Sequence, residues 1–553
     1  MCGIAGIIGR GADKTFLTQL LAPISHRGEE KYRNEISVLP GMAIGAHRLA
    51  IVDEYSGKQP KHDNNKKVFC VFNGEIYNHS QLRQELLSDN NFLSQCDSEV
   101  VLYSYLRWGN KFIQHFDGKF ALAIYNSNNQ TLILARDPMG VKPLYYAHYQ
   151  DNLIFSSELK SFSNIKDNSL EIMELEPGSM LKEGIIIKYY TLSNFVKQQS
   201  FNFPADNTSK LKYYLTNAVR KRIPQESSKL ACLLSGGIDS SVITYIASKI
   251  HPRVVAYTLA APGIQSADLQ SAKELCDKLD IEHIVVSPSI SEMQAFYLKH
   301  GTYMTESFEP ILVRNAVSYY FLCCKVAQDG FKYCLNGEGA DELFGGYDFV
   351  REVPTVHQDS IIWYSLSIIH KTYLQMADRA SMFTTLEARV PYMDKELVKF
   401  CLSLPPETRI NRDNNKVLLR KLFVEELPLN IVNRRKSGMN EGAGFGINAS
   451  NNSIYYNAVK EHYQRYPHKY QKDLVICKRN DKYQQIDLTS IEEVYNFGKF
   501  VKFNYIRLKD SVRRLQLNSS LRPDTLDKIL SSTSSANKQN SYNCDHIIAY
   551  NEF

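Results

Sequence analysis

Short apolar runs that alternate with polar positions fill the first 190 residues. Ile4–Ile8, Met42–Ala46, Val68–Phe72, Lys119–Tyr125, Thr131–Arg136 and Leu153–Ser156 each predict a strand, bounded by Gly and Asn turns. Gln81–Leu87 and Ser98–Trp108 predict helices between them. The mixture predicts sheets with helices packed on their faces. From Asn207 the pattern changes. Strand-like Leu230–Leu234, Val254–Leu259, Glu282–Val286 and Tyr333–Leu335 alternate with helical Ser209–Arg222, Ser240–Ile250 and Ser266–Leu279. That alternation predicts a parallel, doubly wound α/β sheet. Residues around 191–208 read as a linker.

Composition narrows the class. At 553 residues the chain has room for several domains, and 44% hydrophobic with 22% charged residues is ordinary for a globular protein. No apolar run reaches the roughly 18–20 residues needed to span a bilayer, so no membrane role is expected. The net charge of +6 is small for this length and gives no case for nucleic acid. The 11 cysteines are scattered, without a CxxC pair, and the first residues lack a basic, long-apolar leader. A reducing, cytoplasmic setting is expected.

Cys2 stands apart from the other thiols. Removal of Met1 would leave it as the first residue, carrying a nucleophile and a base together. An α-amino group titrates near pH 8, so it can take the thiol proton and later return it to a leaving amine. A second-position cysteine alone is weak grounds, but ordered motifs follow it. They are His26-Arg27-Gly28, His47-Arg48-Leu49-Ala50-Ile51-Val52-Asp53, Phe72-Asn73-Gly74-Glu75-Ile76-Tyr77-Asn78 and Cys96-Asp97-Ser98-Glu99. Ala135-Arg136-Asp137-Pro138-Met139-Gly140, Lys142-Pro143-Leu144-Tyr145-Tyr146 and Ser156-Ser157-Glu158-Leu159-Lys160 complete the run.

This set resembles the class II glutamine amidotransferase domain over residues 2–190. The resemblance implies an N-terminal-nucleophile αββα sandwich. It implies Cys2 as nucleophile, with Asn73 and Gly74 as the oxyanion hole. Arg48, Leu49, Ala50, Ile51, Val52, Asn73, Gly74, Glu75 and Asp97 would bind glutamine, Arg48 clamping its α-carboxylate through the guanidinium fork. The family's His-Arg-Gly usually continues Pro-Asp; here it continues Glu29-Glu30.

In the second region, strand Ala231–Leu234 runs into Ser235-Gly236-Gly237-Ile238-Asp239-Ser240-Ser241 and then a helix. Two glycines let the backbone approach a phosphate, two serines add donors, and the helix start points its N–H groups at an anion. Asp239 among phosphates suggests Mg²⁺. No GxxxxGK[ST] loop is present, which disfavours kinase-like transfer. The loop resembles the ATP-pyrophosphatase family.

Leu335-Asn336-Gly337-Glu338-Gly339-Ala340-Asp341-Glu342-Leu343-Phe344-Gly345-Gly346-Tyr347, Asp378–Met382, Leu386–Asp394, Lys416 and Arg435-Lys436-Ser437-Gly438 follow. Together with the first domain they resemble the glutamine-hydrolysing asparagine synthetase family, up to about residue 446. The resemblance implies α+β and α/β architecture: the sandwich, then a doubly wound parallel α/β ATP-pyrophosphatase domain at 207–450. It implies ATP on Leu233, Ser235, Gly236, Gly237, Asp239, Ser240, Leu259, Asn336 and Gly337. Asp239 and Asp341 would hold Mg²⁺, Arg389 and Lys436 would bind aspartate or its adenylate, and Glu338 would deprotonate ammonia. Ammonia from the Cys2 site would reach the adenylate through a protected channel. Small-molecule partners are then glutamine, aspartate and ATP, and a homodimer is one expectation for assembly. Asn336 stands where many members carry Ser.

Other readings differ in what would mark them. A different carboxylate acceptor has no short signature against it. A β-lactam-forming relative would lack the N-terminal Cys, and a silent binding protein would have lost Cys2, Asn73 or Asp239. Amino-sugar and phosphoribosylamine enzymes share the first domain but would not carry the SGGxDS loop. Residues 451–530 are expected to be a mostly helical extension, with Ser490–Leu517 its best helix; 531–553 read as a disordered tail.

Overall fold

The computed structural model describes residues 2–445, except 88–91, 166, 168–169, 193–206, 225–226, 308–309, 352–354 and 412, and two further strands at 476–479 and 482–485. The helix expected over Ser490–Leu517, the polar run Asn448–Tyr456, the tail and most of the 191–208 linker fall outside them. Two units emerge: Met1–Thr191 with Met382–Glu387, and Leu192–Ser381 with Ala388–Phe553.

Among the described residues the first unit contains twelve strands: β1 (Cys2–Ile8), β2 (Glu35–Leu39), β3 (Met42–Arg48), β4 (Lys61–His62), β5 (Val68–Ile76), β6 (Gly118–Asn126), β7 (Thr131–Arg136), β8 (Tyr145–Tyr149), β9 (Asn152–Ser156), β10 (Ile172–Glu174), β11 (Ser179–Lys182) and β12 (Ile185–Lys188). They form two six-stranded sheets, β10-β8-β9-β1-β3-β2 and β12-β11-β7-β6-β5-β4. Period-2 alternation explains the layering. Ile4, Met42 and Ile44 of one sheet join Phe69, Val71, Ala121 and Leu134 of the other in a shared core. Ala5 and Ile7 point the other way, to the helix Lys14–Leu21 through Leu17, Leu20 and Leu21. On the far face of the second sheet, Cys70, Phe72 and Ile76 pack on Leu82, Val100 and Val101 from helices His79–Leu86 and Asp97–Trp108. Helix, sheet, sheet and helix give the four layers. Strand β1 starts two residues earlier than the apolar run suggests, because Cys2 itself pairs with Arg48 in the antiparallel ladder.

The second unit is built on β13 (Leu230–Leu233), β14 (Val254–Leu259), β15 (Glu282–Val286), β16 (Tyr333–Leu335) and, from Ala388 onward, β17 (Glu387–Arg389), in the order β15-β14-β13-β16-β17. The pairs β13–β14, β14–β15 and β13–β16 are parallel. The chain winds outward from β13 to β15, then returns to the opposite side of β13 at β16. The crevice past the carboxyl ends of β13 and β16 is therefore a topological switch point, where open α/β sheets bind ligands. The helices Ile238–Ile250 and Ala267–Leu279 follow the first two strands; Ser266 caps the second by accepting the Leu269 N–H at 3.2 Å. The pattern missed the 19-residue helix Pro310–Gln328. Among the described residues no helix is long and apolar enough to cross a membrane.

Candidate active sites

In the first unit the β1–β3 ladder sets Cys2 opposite Arg48, and β5 carries Asn73, Gly74 and Glu75. Cys2 is buried, and its backbone N–H donates to Asn73 Oδ1 at 3.1 Å. That bond turns the Asn73 amide so that Nδ2, buried, meets no protein acceptor. A donor left unpaired beside a nucleophile is the arrangement an oxyanion needs. Gly74 has no room for a side chain: a Cβ would lie 2.2 Å from Lys119 O. Burial pushes the Cys2 thiol up, opposed by the Leu49 backbone N–H and the Arg48 guanidinium.

Arg48 donates to Asp53 O at 3.2 Å and to Glu54 O at 2.5 Å, and lies 4.3 Å over the Tyr32 ring. It thus fastens the loop that carries Leu49, Ala50, Ile51 and Val52. Glu29, where the family has Pro, also serves this loop. Its carboxylate accepts the Ala50 N–H at 3.0 Å, and its own N–H donates to Arg48 O at 3.0 Å, a bond proline cannot make. Asp97 opens its helix and accepts the Ile76 N–H at 3.0 Å, which ties it to the strand of Asn73 and Glu75. Behind Cys2, Arg27 donates to Cys2 O at 3.2 Å and pairs with buried Glu158 at 2.5 Å.

In the second unit one cavity at the switch point is lined by Leu233, Ser235, Gly237, Asp239, Ser240, Leu259, Asn336, Gly337, Glu338, Asp341 and Lys436. These are the candidates for ATP, metal and adenylate, gathered from β13, β14, β16 and a loop near residue 436. Gly236 lies beneath the lining with φ +70. Asn336 donates to Tyr319 OH at 2.7 Å and accepts the Glu338 N–H at 3.0 Å, so it braces the Glu338 loop. Desolvation pushes Glu338 up to about 8, against the pull of Lys436. Burial also raises Asp239. Asp341 goes the other way despite burial, because Lys416 and Lys436 hold it well below the usual carboxylate range.

Arg389 does not reach this cavity. Its side chain is fully buried, donates to Arg222 O at 2.6 Å and lies 4.4 Å over the Tyr333 ring. Motif membership placed it on the short strand β17 but not on the face that meets the crevice. Three contributors went unassigned in the sequence. Lys416 bridges Asp239 and Asp341; Arg434 joins the wall; Glu342, pushed up to about 7 by burial, accepts from Tyr347 OH at 2.5 Å. Lys416 lies 177 residues from Asp239, a juxtaposition only the fold creates.

The residues fit a divalent cation. Asp239 Oδ1 is buried and meets no protein donor. Among the described residues no cluster of three or more His, Cys, Asp or Glu forms a metal cage. Two carboxylates with substrate phosphates completing the shell is how Mg²⁺ is commonly held.

Residues 1–212 match the glutamine amidotransferase domain family, and residues 210–365 and 354–494 match asparagine synthase. The nodule asparagine synthetase [glutamine-hydrolyzing] of Pisum sativum is 30% identical over 81% of this chain and 79% of its own. A probable asparagine synthetase [glutamine-hydrolyzing] of Schizosaccharomyces pombe is 30% identical over 80% and 85%. Asparagine synthetase B of Escherichia coli K12 is 28% identical over 80% and 83%. Matched over more than half its length by the asparagine synthase model and 30% identical to the Pisum sativum enzyme over 81% of its residues, this chain belongs to the asparagine synthase family.

Proposed function

We propose that this chain makes L-asparagine from L-aspartate and ATP with L-glutamine as nitrogen donor, releasing AMP, pyrophosphate and glutamate. The reading rests on one combination: a buried cysteine beside an unpartnered amide donor, and a switch-point cavity in which Asp239 and Asp341 pair with Lys416 and Lys436, on the same chain.

At the first site the α-amino group freed by Met1 removal takes the Cys2 proton. The sulfur attacks the glutamine amide carbon, and Asn73 Nδ2 with the Gly74 N–H receives the developing oxyanion. Collapse expels ammonia, which takes its proton from the same amine, and water hydrolyses the glutamyl thioester. Arg48, Glu75 and Asp97 orient the substrate's charged ends.

At the second site the Ser235–Ser240 loop and the helix start behind it take the phosphates. The aspartate β-carboxylate displaces pyrophosphate from the α-phosphorus, giving the β-aspartyl adenylate. Asp239 and Asp341 would hold Mg²⁺, which supplies charge neutralisation on the pyrophosphate when bound. Lys416 and Lys436 add fixed positive charge at the same wall. Glu338, once ionised, accepts a proton from ammonia as it attacks the acyl carbon. The nine cysteines whose side chains are described are all free thiols, which suits the cytoplasmic setting proposed here. A homodimer completes the proposal, testable by light scattering.

Mass spectrometry of products from Mg-ATP, aspartate and amide-¹⁵N glutamine tests the reading. Labelled asparagine with AMP and pyrophosphate is expected. Glutamate without asparagine or AMP would assign a different acceptor.

A further inference from the structure

Gln59 sits on the nucleophile, though no motif of the first unit includes it. Its Nε2 donates to Cys2 Sγ at 3.3 Å and to Phe72 O at 2.9 Å, while its Oε1 accepts the Phe72 N–H at 2.7 Å. The side chain is 6% exposed. Its backbone N–H donates to Glu35 Oε2 at 2.8 Å, so the residue is tied at both ends.

The orientation of the amide is forced. Phe72 offers one donor and one acceptor to the same side chain, and exchanging Oε1 with Nε2 would set oxygen against oxygen and N–H against N–H. An amide nitrogen carries two hydrogens. One is spent on Phe72 O, and the other lies toward the sulfur. A purely structural tie to β5 needs only the two bonds to Phe72; the contact with Cys2 Sγ is surplus to it. Phe72 immediately precedes Asn73, so the same clamp steadies the oxyanion donor.

We infer that Gln59 is a catalytic residue of the glutamine-hydrolysing site, whose amide N–H stabilises the Cys2 thiolate and fixes the sulfur for attack. The inference rests on the glutaminase reading of the first unit. When the thiol proton passes to the α-amino group, the sulfur gains an electron pair that a donor at this place holds. A hydrogen bond to a charged acceptor gains strength over one to a neutral acceptor, so the thiolate is favoured over the thiol. The site is deeply desolvated, which raises the worth of each such donor.

The test is the pH dependence of Cys2 alkylation by iodoacetamide in the full chain, read by peptide mass spectrometry. Gln59→Met removes the donor at similar volume. It is expected to move the midpoint upward, cutting the thiolate fraction at neutral pH about threefold to tenfold. The kcat for glutamine hydrolysis should fall by a similar factor with KM little changed. Gln59→Glu, which keeps the acceptor for the Phe72 N–H but sets a carboxylate beside the sulfur, is expected to shift the midpoint further. An unchanged midpoint in Gln59→Met, with an unchanged melting temperature, overturns the inference. If that variant does not fold, an unchanged midpoint in Gln59→Glu overturns it and a raised one supports it. Failure of the unmodified chain to hydrolyse glutamine would count against the glutaminase reading instead, while the alkylation midpoints still decide the place of Gln59.

Discussion

Lys416 Nζ stands between two carboxylates, 2.6 Å from Asp239 Oδ2 and 2.5 Å from Asp341 Oδ1. Its side chain is 2% exposed, so the ammonium has exchanged water for these two anions. Desolvated charge pairs of this kind are costly to break from one side. Lys416→Met leaves the carboxylates to repel each other and removes a cation from the phosphate wall. Aspartate-dependent pyrophosphate release is expected to fall about 10²–10³-fold, the loss typical of one transition-state donor. A pyrophosphate assay at saturating ATP checks it, and a drop under threefold would remove Lys416 from the chemistry.

Cys2→Ala separates the two sites. Glutamine-dependent synthesis should disappear, while synthesis from added ammonium persists, because the aspartate and ATP groups lie in the other unit. If ammonium-driven synthesis is lost in a folded Cys2→Ala protein, the assignment of two separate sites fails.

Gly236 carries the backbone where a side chain has no place. Its φ is +70, and a Cβ would stand 2.6 Å from Asp268 O and 2.8 Å from Ala272 N. Neither atom is a flexible tip. Gly236→Ala is expected to cost about 1–3 kcal/mol of backbone strain and to distort the loop, lowering pyrophosphate release at least about tenfold. Glutamine hydrolysis should be spared. Calorimetry and both assays on one preparation decide it.

His47 ties the stability of the first unit to pH. Its Nδ1 accepts the Asn34 N–H at 3.1 Å, and its Nε2 lies 2.9 Å from Leu21 O, so the neutral ring with hydrogen on Nε2 fits. A second ring proton would face the Asn34 N–H. Burial pushes the folded value down to about 4, below the ordinary 6.5. Between these values the unfolded chain binds more protons, so this contribution is full above pH about 6.5 and is lost as pH falls toward 4. The span corresponds to roughly 3 kcal/mol. Urea unfolding of the wild type should weaken on acidification through this window, and His47→Gln should flatten the slope. Equal slopes would assign the acid sensitivity elsewhere.

Arg389 gives the opposite expectation from its motif. Removing it takes away the donor to the Arg222 carbonyl and the guanidinium over the Tyr333 ring, so Arg389→Met should lose about 1–3 kcal/mol of stability. The KM for aspartate should stay within about twofold. A large rise in that KM with unchanged stability would return Arg389 to the aspartate site.

The sequence carried the local parts of both sites. Strand β7 spans the residues its alternation predicts, and Ser235–Ser240 lies between a strand and a helix because glycine, serine and apolar run are contiguous. Contacts made over long separations were not legible. Gln59 lies in a polar stretch with no period, and only the Phe72 backbone reveals its use. Lys416 was visible as part of a motif, but its bond to Asp239 depends on how distant segments meet. The helix Pro310–Gln328 was hidden because its apolar arc is wide: Leu312, Val313, Ala316, Val317, Leu322, Cys323 and Val326 are all buried, and Tyr320 and Phe321 extend the apolar surface further round, which blurs an amphipathic period.

The ladder that sets Cys2 opposite Arg48 has a further consequence. Side chains on a strand alternate, so a slip of one residue between β1 and β3 would turn the thiol to the opposite face of its sheet. Asn73 Oδ1 would then lose the Cys2 nitrogen it accepts from, and the sulfur would no longer stand at its side. Cys2, the proposed nucleophile, stands at the very start of β1, in the last pair of that ladder. Turnover of glutamine therefore doubles as a gauge of strand alignment: a refolded sample with native helix content but a misaligned first strand would be spectroscopically ordinary and chemically silent.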